Sequence, residues 1–466
     1  MIGLRLLLIV DAFALLVASR ISDPIVGDVA LFPAVLIGVI AAIACLSADL
    51  VKPRRRVEWI CSSLSIVAPF AFLALPGAFG RGASAAAIIA LQVIPLVRAG
   101  RAPGGGRSVH RVVAALVITT MVLLIAVVAL VWYGANYLLR PPASVFIRGP
   151  FLTLVTTTRA DIAWQMAAGQ PNPTVSVTAP DGTITASRSG RFSGLVPATR
   201  YVWTANVAGH SAAAGSFNTA PLNTATPITL VSFGDYGSGN AHEYAVGGLA
   251  AAQDPDLFLS TGDNAYLLAA PPVLNRAIFD PLRNLLGEAP AVVALGEHDL
   301  AYDDGSAVIA ALHLPGHHYV AQYGPVQIVV LGLQADASAL AYARDTLGRC
   351  RPACPVRFVL THRPIATDNP IMPLLRQRQV AAILAGHLHR YERHERAGIL
   401  QFTLGTGGEG PGSAGFTQPT PDAKVSFLAY GFLRIDIHNG TIDYRFIDQQ
   451  GHIRDHVTRT IPRDPP

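Results

Sequence analysis

Charged residues are scarce in this chain, and they are missing altogether from long stretches of its first 140 residues. Of the 466 residues, 14% are charged and 51% are hydrophobic, and the mean hydropathy is +0.40. These values exclude a purely soluble protein. A helix needs about 20 apolar residues to cross a bilayer. Three charge-free stretches are long enough: Val29–Ala48, Trp59–Phe79 and Val112–Leu139.

Two weaker stretches, Leu6–Ser19 and Gly82–Val97, bring the predicted number of transmembrane helices to about five. Basic clusters at residues 52–56 and 98–111 belong on the cytoplasmic side by the positive-inside rule. We therefore expect residues 1–140 to form an α-helical, multi-pass segment in the cell membrane, with the lipid bilayer as its partner and the rest of the chain on the extracytoplasmic side. A cleavable signal peptide is the competing interpretation of the first stretch.

An excess of basic charge is absent from the remainder of the chain. Residues 1–140 hold 12 Lys and Arg against 5 Asp and Glu, whereas residues 141–466 hold 23 against 25. The basic character therefore belongs to the membrane segment, and it gives no support to nucleic-acid binding. Thirteen of the 14 histidines follow residue 140, so the candidate metal ligands lie apart from the basic charge.

Cysteine is also rare, with four in the chain. Cys45 and Cys61 lie in or beside apolar stretches and are expected to be packing residues. Cys350 and Cys354 flank a short loop and could form a disulfide outside the cell, although two free thiols fit the sequence nearly as well.

Residues 143–221 are rich in Thr, Val and Ser and carry turn signals at short intervals, which predicts a β-sandwich of about six strands. A Leu-x-Pro-x-Thr-x-Tyr run from Leu195 to Tyr201 resembles the fibronectin type III pattern around its tyrosine corner. No group of catalytic residues is evident in this part, so we expect a structural, fibronectin type III-like domain.

From residue 227 to residue 466 the pattern changes to strand, loop and helix, repeated, which predicts an α/β sandwich with additional antiparallel strands near Tyr430–Ile447. The predicted strands are Ile228–Phe233, Leu257–Ser260, Ala291–Leu295, Val326–Leu331, Arg357–Leu360, Ala381–Leu384 and Leu400–Leu404. The predicted helices are Ala241–Ala252, Val273–Leu286 and Ala337–Leu347. Histidines 394 and 438 are expected on the surface of this domain.

Residues that can bind metals follow five of these strands. The runs are Gly234-Asp235, Gly262-Asp263-Asn264-Ala265-Tyr266, Gly296-Glu297-His298, Thr361-His362 and Gly386-His387-Leu388-His389. Carboxylates and imidazoles at successive strand ends suit two divalent or trivalent metal ions. Such a pair can hold a phosphoryl group and lower the pKa of a bound water, so that hydroxide attacks at neutral pH. Each run alone is weak support, and the five in order carry the prediction.

The order and spacing of these runs resemble the calcineurin-like metallophosphoesterase family. Tyr266, three residues after Asp263, and the extended run from Gly386 to Arg393 resemble its purple acid phosphatase branch. The resemblance implies a first metal, typically Fe(III), held by Asp235, Tyr266 and His389. It implies a second metal (iron, zinc or manganese) held by Glu297, His362 and His387. By the same resemblance Asp263 bridges both metals, and His298 donates a proton or hydrogen bond to the leaving group.

One position departs from that family, which has Asn where this chain has Glu297. The change adds a negative charge, which is expected to keep the metal bound while weakening its Lewis acidity and repelling an anionic substrate. The predicted function is a membrane-anchored binuclear phosphatase that hydrolyses phosphate monoesters outside the cytoplasm. A phosphodiesterase or nucleotide hydrolase, and a membrane protein that binds phosphate compounds without turnover, are the alternatives.

Overall fold

The computed structural model describes residues 145–266, 268–350, 354–411 and 418–461. The predicted membrane segment, residues 1–140, lies outside the described residues. Within the described part of the chain, no helix combines the length and the apolar character needed to cross a membrane.

The first described strands form two packed antiparallel sheets, with orders β1-β2-β5 and β4-β3-β6-β7. The predicted β-sandwich is therefore present, and it has one strand more than expected. The additional strand is Arg191–Ser193, whose three residues are too few to show an alternation of apolar and polar side chains in the sequence. The hydroxyl oxygen of Tyr201 accepts a hydrogen bond from the backbone N–H of Val196 at 2.9 Å, as a tyrosine corner requires. The fibronectin type III likeness itself stays a prediction. The strands are β1 Phe146–Val155, β2 Arg159–Met166, β3 Thr174–Thr178, β4 Ile184–Ser187, β5 Arg191–Ser193, β6 Arg200–Val207 and β7 His210–Asn218.

Two further sheets make up the α/β part, with orders β10-β9-β8-β18-β19-β20 and β11-β12-β13-β14-β16-β15-β17. Strands β8, β9 and β10 run parallel in the first sheet, and β12, β13, β14 and β16 run parallel in the second. All seven predicted strands of this part are present, with ends that differ by at most two residues. The strands are β8 Ile228–Phe233, β9 Leu257–Ser260, β10 Ala291–Val293, β11 Tyr319–Tyr323, β12 Val326–Val330, β13 Val356–Leu360, β14 Ala382–Ala385, β15 Tyr391–Arg396, β16 Ile399–Leu404, β17 Val425–Phe427, β18 Gly431–His438, β19 Thr441–Asp448 and β20 Ile453–Thr460.

The helices follow the predicted order with one break. Instead of one helix over Val273–Leu286, the chain forms a π-helical turn at Asn275–Phe279 and then a short α-helix from Arg283. Pro281 lies between them, and it cannot donate the backbone hydrogen bond that a continuous helix needs. The α-helices are α1 Ala241–Ala251, α2 Arg283–Glu288, α3 Glu297–Leu300, α4 Ser306–Leu312, α5 Ala337–Thr346 and α6 Met372–Gln377, and a 3₁₀ turn covers Asp303–Gly305.

The core is layered. Alternate residues of each parallel strand point either between the two sheets or toward the covering helices, so Leu230 joins the inner cluster and Val231 the outer one. The outer face of the second sheet packs under α5 and α6 in the same way. Because these strands are buried on both faces, they appear in the sequence as continuous apolar runs.

The β-sandwich packs directly on the α/β part. The indole N–H of Trp203, which is 1% exposed, donates to the carbonyl of Gly287 at 2.8 Å. The hydroxyl of Tyr323 donates to the carbonyl of Asn218 at 2.8 Å. Elsewhere in the α/β part, Cys350 and Cys354 are joined in a disulfide, which is one of the two alternatives that the sequence left open.

Candidate metal centre

The candidate ligands follow five parallel strands and lie at one edge of the two sheets. Asp235 follows β8, Asp263 and Tyr266 follow β9, Glu297 begins α3 after β10, His362 follows β13, and His387 and His389 follow β14. The carboxyl ends of parallel strands are where open α/β sheets hold their ligands.

Three of these residues have a backbone conformation that is rare for a residue with a side chain. The φ angles of Asp235, Asp263 and His387 are 55°, 50° and 69°. Such strained conformations collect at functional sites, where surrounding contacts hold them in place. Here the backbone N–H of Asp235 donates to the carbonyl of Gly262 at 2.9 Å, and that of His387 donates to Asp235 Oδ2 at 2.9 Å.

The first cluster of ligand atoms joins Asp235, Tyr266 and His389. The hydroxyl of Tyr266 lies 3.4 Å from Asp235 Oδ1 and 3.2 Å from His389 Nε2. His389 Nε2 in turn lies 3.3 Å from Asp235 Oδ1. One carboxylate, one phenol and one imidazole therefore converge on a single point.

The second cluster joins Glu297, His362 and His387. His362 Nε2 lies 2.8 Å from Glu297 Oε2, and His387 Nδ1 lies 2.9 Å from Glu297 Oε1. The candidate ligand atoms of the three residues all lie within 4.8 Å of one another.

Asp263 lies between the two clusters. Its Oδ2 atom is 3.2 Å from the hydroxyl of Tyr266 and 3.5 Å from His362 Nε2. A single carboxylate oxygen thus faces a member of each cluster.

The donor chemistry of the site fits a metal ion. His362 Nδ1 lies 2.8 Å from the carbonyl of Thr261, which assigns the ring proton to Nδ1 and leaves Nε2 as an acceptor. That acceptor faces carboxylate oxygens of Glu297 and Asp263, and both His362 Nε2 and Glu297 Oε2 are buried with no hydrogen-bond partner. Acceptors that face one another in this way need a cation between them.

Glycines keep the space around the carboxylates clear. A Cβ atom at Gly296 would overlap the carboxylate of Asp263, and one at Gly386 would overlap that of Asp235. Gly296 and Gly386, each directly before a candidate ligand, are therefore required for space.

The electrostatics of the site favour cations. Burial alone would raise the pKa of Glu297, but the adjacent imidazoles of His362 and His387 hold it far below its usual range. Burial opposes a charge on His362, yet the adjacent carboxylates of Asp263 and Glu297 raise its pKa well above normal, which favours a cation at Nε2, either a proton or a metal ion. Burial, together with two neighbouring carboxylates, raises the pKa of Tyr266 well above its usual value. A phenolate at Tyr266 therefore requires a nearby cation.

His298 lies at the rim of the site. Its backbone N–H donates to Asp263 Oδ1 at 3.0 Å, and its half-buried ring lies 4.4 Å from the ring of Tyr266, centroid to centroid. The half-buried ring is thus placed beside Tyr266 of the first cluster.

A second layer of residues supports this arrangement and was not predicted. The fully buried Asp299 accepts hydrogen bonds from the backbone N–H groups of Asn264 and Gly296, at 3.0 and 2.9 Å. It thereby ties the loop after β9 to the start of α3. The only signal for it in the sequence is its position directly after His298.

Arg363 is a second residue that sequence reasoning missed. Its Nη2 and Nε atoms donate to Glu297 Oε1 at 2.8 and 3.2 Å. Its position next to His362 is the signal that could have identified it.

The prediction that His394 lies on the surface is wrong, whereas His438 is exposed as expected. His394 is 1% exposed, and its Nε2 lies 3.1 Å from Glu392 Oε2. The reason is that charged side chains surround the ring: its Nδ1 lies 3.3 Å from Asp422 Oδ1 and 3.3 Å from Arg396 Nη2.

Comparison with known proteins agrees with this geometry. Residues 233–391 match the family model of the calcineurin-like phosphoesterases. This stretch is a calcineurin-like metallophosphoesterase domain. Its match begins at the end of β8 and closes at the start of β15, so it contains every candidate ligand described above.

Solved structures that are similar to this chain include those of PhoD and GAP50. The structure of PhoD has a TM-score of 0.50 and 10% identity, and the match covers 68% of this chain and 90% of PhoD. The Plasmodium protein GAP50, described as the anchor in the inner membrane complex, has a TM-score of 0.44 and 14% identity over 51% of this chain and 90% of its own. At these identities the likeness concerns the fold alone. No curated protein sequence matches the chain.

Proposed function

We propose that this protein is a membrane-anchored, binuclear metal-dependent phosphatase of the purple acid phosphatase branch, which hydrolyses phosphate monoesters outside the cytoplasm. The observation that supports it best is the position of Asp263 Oδ2, 3.2 Å from Tyr266 and 3.5 Å from His362. One carboxylate oxygen shared by two ligand clusters is the arrangement that a two-metal phosphoesterase needs.

The ligand sets of the proposal follow the two clusters. Asp235, Tyr266 and His389 would hold the first metal, Fe(III), because a phenolate and carboxylates favour a hard trivalent ion. Glu297, His362 and His387 would hold the second, which is iron, zinc or manganese. The carboxylate of Asp263 would complete both sets. Two such ions would lower the pKa of a water molecule and offset the charge of the transferring phosphoryl group.

His298 has the proton-transfer role in the proposal. The bond from its backbone N–H to Asp263 and its ring contact with Tyr266 fix the side chain beside the clusters. An imidazole is the side chain that most often transfers protons in enzymes, so it can protonate a leaving alkoxide. The chain thus supplies orientation and a proton, and the ester oxygen departs as an alcohol.

Activity of the purified full-length protein tests the reaction. We expect release of nitrophenol from nitrophenyl phosphate in the presence of added iron with zinc or manganese, loss of activity on chelation, and recovery when the metals return. Asp263→Asn should be inactive. Faster hydrolysis of bis(nitrophenyl) phosphate would favour the phosphodiesterase alternative, and phosphate binding without turnover of either ester would favour the non-catalytic one.

Colour tests the branch and the first metal. The iron-loaded protein should be purple through phenolate-to-iron charge transfer, and Tyr266→Phe should abolish the colour. Tyr302→Phe is the matched control, because Tyr302 is an exposed tyrosine of the same domain. A colourless iron-loaded protein, or a colour that persists in Tyr266→Phe, would argue against the purple acid phosphatase branch.

The location of the domain is tested separately, with protease added to intact cells. The proposed topology predicts digestion of the part after residue 140 from outside. Digestion only after the cells are opened would place that part in the cytoplasm and contradict the proposed orientation.

A further inference from the structure

The Glu297 carboxylate, the one departure from the ligand pattern, has close neighbours on three sides. His362 Nε2 lies 2.8 Å from its Oε2, and His387 Nδ1 lies 2.9 Å from its Oε1. The third contact comes from Arg363, whose Nη2 and Nε atoms lie 2.8 and 3.2 Å from that same Oε1. The carboxylate is therefore shared between the metal cluster and a guanidinium group.

The backbone accounts for the position of Arg363. The residue directly follows His362 at the end of β13, and its N–H donates to the carbonyl of Leu333 at 2.8 Å. This bond holds the start of the side chain at the sheet edge where the ligands converge. The side chain is 43% exposed, compared with 30% for Glu297 and 0% for His362, so the guanidinium lies on the solvent side of the cluster.

The charges of the pair cancel, but they lie at different depths. A carboxylate in place of a neutral amide adds one negative charge beside the metal ligands, and Arg363 adds one positive charge farther out. An arginine suits this place because its planar guanidinium stays charged and presents several N–H donors at once. Phosphate groups are a preferred partner of such donors.

We propose that Arg363 is a positioning and specificity residue of the second metal cluster: it orients and neutralises Glu297, and its guanidinium attracts the phosphate group of the substrate that enters from solvent. This inference rests on the proposed function. The proposed function assigns phosphate binding at this cluster to the metal alone. The present inference assigns part of that binding to the side chain of Arg363.

Opposite effects on cation and anion binding are the signature of this role. Removing the positive charge in Arg363→Gln should strengthen binding of the second metal, since the full charge of Glu297 then acts on it. The same change should weaken binding of inorganic phosphate. We expect about a tenfold change in each dissociation constant, which corresponds to about 1.4 kcal/mol of charge interaction.

The converse variant is Glu297→Asn, which leaves Arg363 without its carboxylate. It should bind the second metal more weakly and phosphate more tightly, while still taking up two metals when they are supplied in excess. Arg363→Lys keeps the charge but not the paired N–H donors, so its metal affinity should stay near that of the wild type and its phosphate affinity should fall by less than in Arg363→Gln. Arg344→Gln, on the exposed side of α5, is the matched control and should change neither affinity.

The measurement is calorimetric titration of the full-length protein, first with Mn²⁺ or Zn²⁺ after metal removal, then with inorganic phosphate after reloading. Opposite shifts in Arg363→Gln support the inference. A parallel loss of both affinities means that Arg363 serves only to fold the site, and unchanged affinities mean that it does not act on the cluster; either result overturns the inference. A wild type that binds no metal overturns the proposed function as well. A wild type that binds metals and phosphate without turnover overturns the proposed catalysis alone.

Discussion

Gly296 shows how closely single residues determine the candidate metal centre. Its φ and ψ angles of −99° and −177° are open to any residue, so a side chain is excluded there by space and not by backbone conformation. The space is needed because a Cβ atom would overlap the carboxylate of Asp263.

Gly296→Ala should therefore displace Asp263 and lower the metal content of the protein from two ions to one or none, as measured by elemental analysis after dialysis. Gly248→Ala is the control, since a Cβ atom at Gly248 in α1 meets nothing within 4 Å. Two retained metals in Gly296→Ala would show that Asp263 tolerates displacement, contrary to the role proposed for it.

Glu243 is a buried acid outside the ligand clusters, and it makes stability depend on pH. Its side chain is fully buried, Oε2 accepts the backbone N–H of Gly239 at 2.6 Å, and Oε1 is buried with no hydrogen-bond partner. Burial raises the pKa of Glu243 well above its ordinary value of 4.5. The folded state therefore holds the proton to higher pH than the unfolded state does.

The sign of the effect follows from this difference. The contribution of Glu243 to stability is fully present below pH 4.5 and is lost as the pH rises through the folded-state pKa. Glu243→Gln should leave the free energy of unfolding nearly unchanged at pH 4 and increase it by roughly 1–3 kcal/mol above the folded-state pKa, because a buried charge is removed. Urea unfolding at a series of pH values measures this. An equal difference between variant and wild type at every pH would refute the prediction.

At the scale of elements, local sequence signals place helix and strand ends with some accuracy. Helix α1 begins where Asn240 accepts hydrogen bonds from the backbone N–H groups of His242 and Glu243, at 2.9 and 3.0 Å. The side-chain amide of Asn240 also donates to the carbonyl of Gly408 at 2.7 Å, which joins the helix to the loop after β16. The cap is local, whereas the contact with Gly408 depends on the fold.

Asn240→Ala should lower the free energy of unfolding by about 1–2 kcal/mol through loss of the cap. The buried Gly408 carbonyl also loses its donor, which should lower the free energy of unfolding further. Asn240→Asp keeps the capping oxygen and loses only the donor, so it should be less destabilising. Chemical denaturation compares the two. A larger loss in Asn240→Asp would contradict this, and would mean that a carboxylate facing the Gly408 carbonyl costs more than the cap contributes.

On the scale of the whole molecule, the β-sandwich and the metallophosphoesterase domain share one packed interior. A continuous cluster of buried residues includes Trp203 of β6 together with residues from both sheets of the α/β part. We expect the two parts to unfold together, since neither can lose this interface without exposing apolar surface.

Trp203→Phe tests this coupling. The variant loses the donor to the Gly287 carbonyl, and an unsatisfied buried group costs about 1–3 kcal/mol. The loss should appear in a single transition, with circular dichroism and tryptophan fluorescence giving the same midpoint. Val202→Thr is the control, because Val202 is an exposed residue of the same strand. Two separate transitions would show that the parts are independent.

The sequence by itself determined which residue types lie at which strand ends. Asp235, Asp263 and His362 could be located because a buried parallel strand is a continuous apolar run that ends at a polar residue, and the carboxyl ends of such strands meet at one edge. The apolar run is a local pattern, and the alignment of parallel strand ends is general to such sheets. The order of the strands and of the candidate ligands could therefore be predicted from the sequence.

Only the tertiary structure decided what surrounds those residues. Arg363 contacts Glu297 across 66 positions of sequence, and Asp299 reaches Asn264 across 35. His394 is buried because Glu392, Arg396 and the more distant Asp422 surround its ring, which no local pattern predicts. Charge pairing and burial depend on which sheet edge faces which loop, and that is set by how the two sheets pack against each other. The strand ends supplied the chemical groups, and the packing of the sheets gave each group its charge partner.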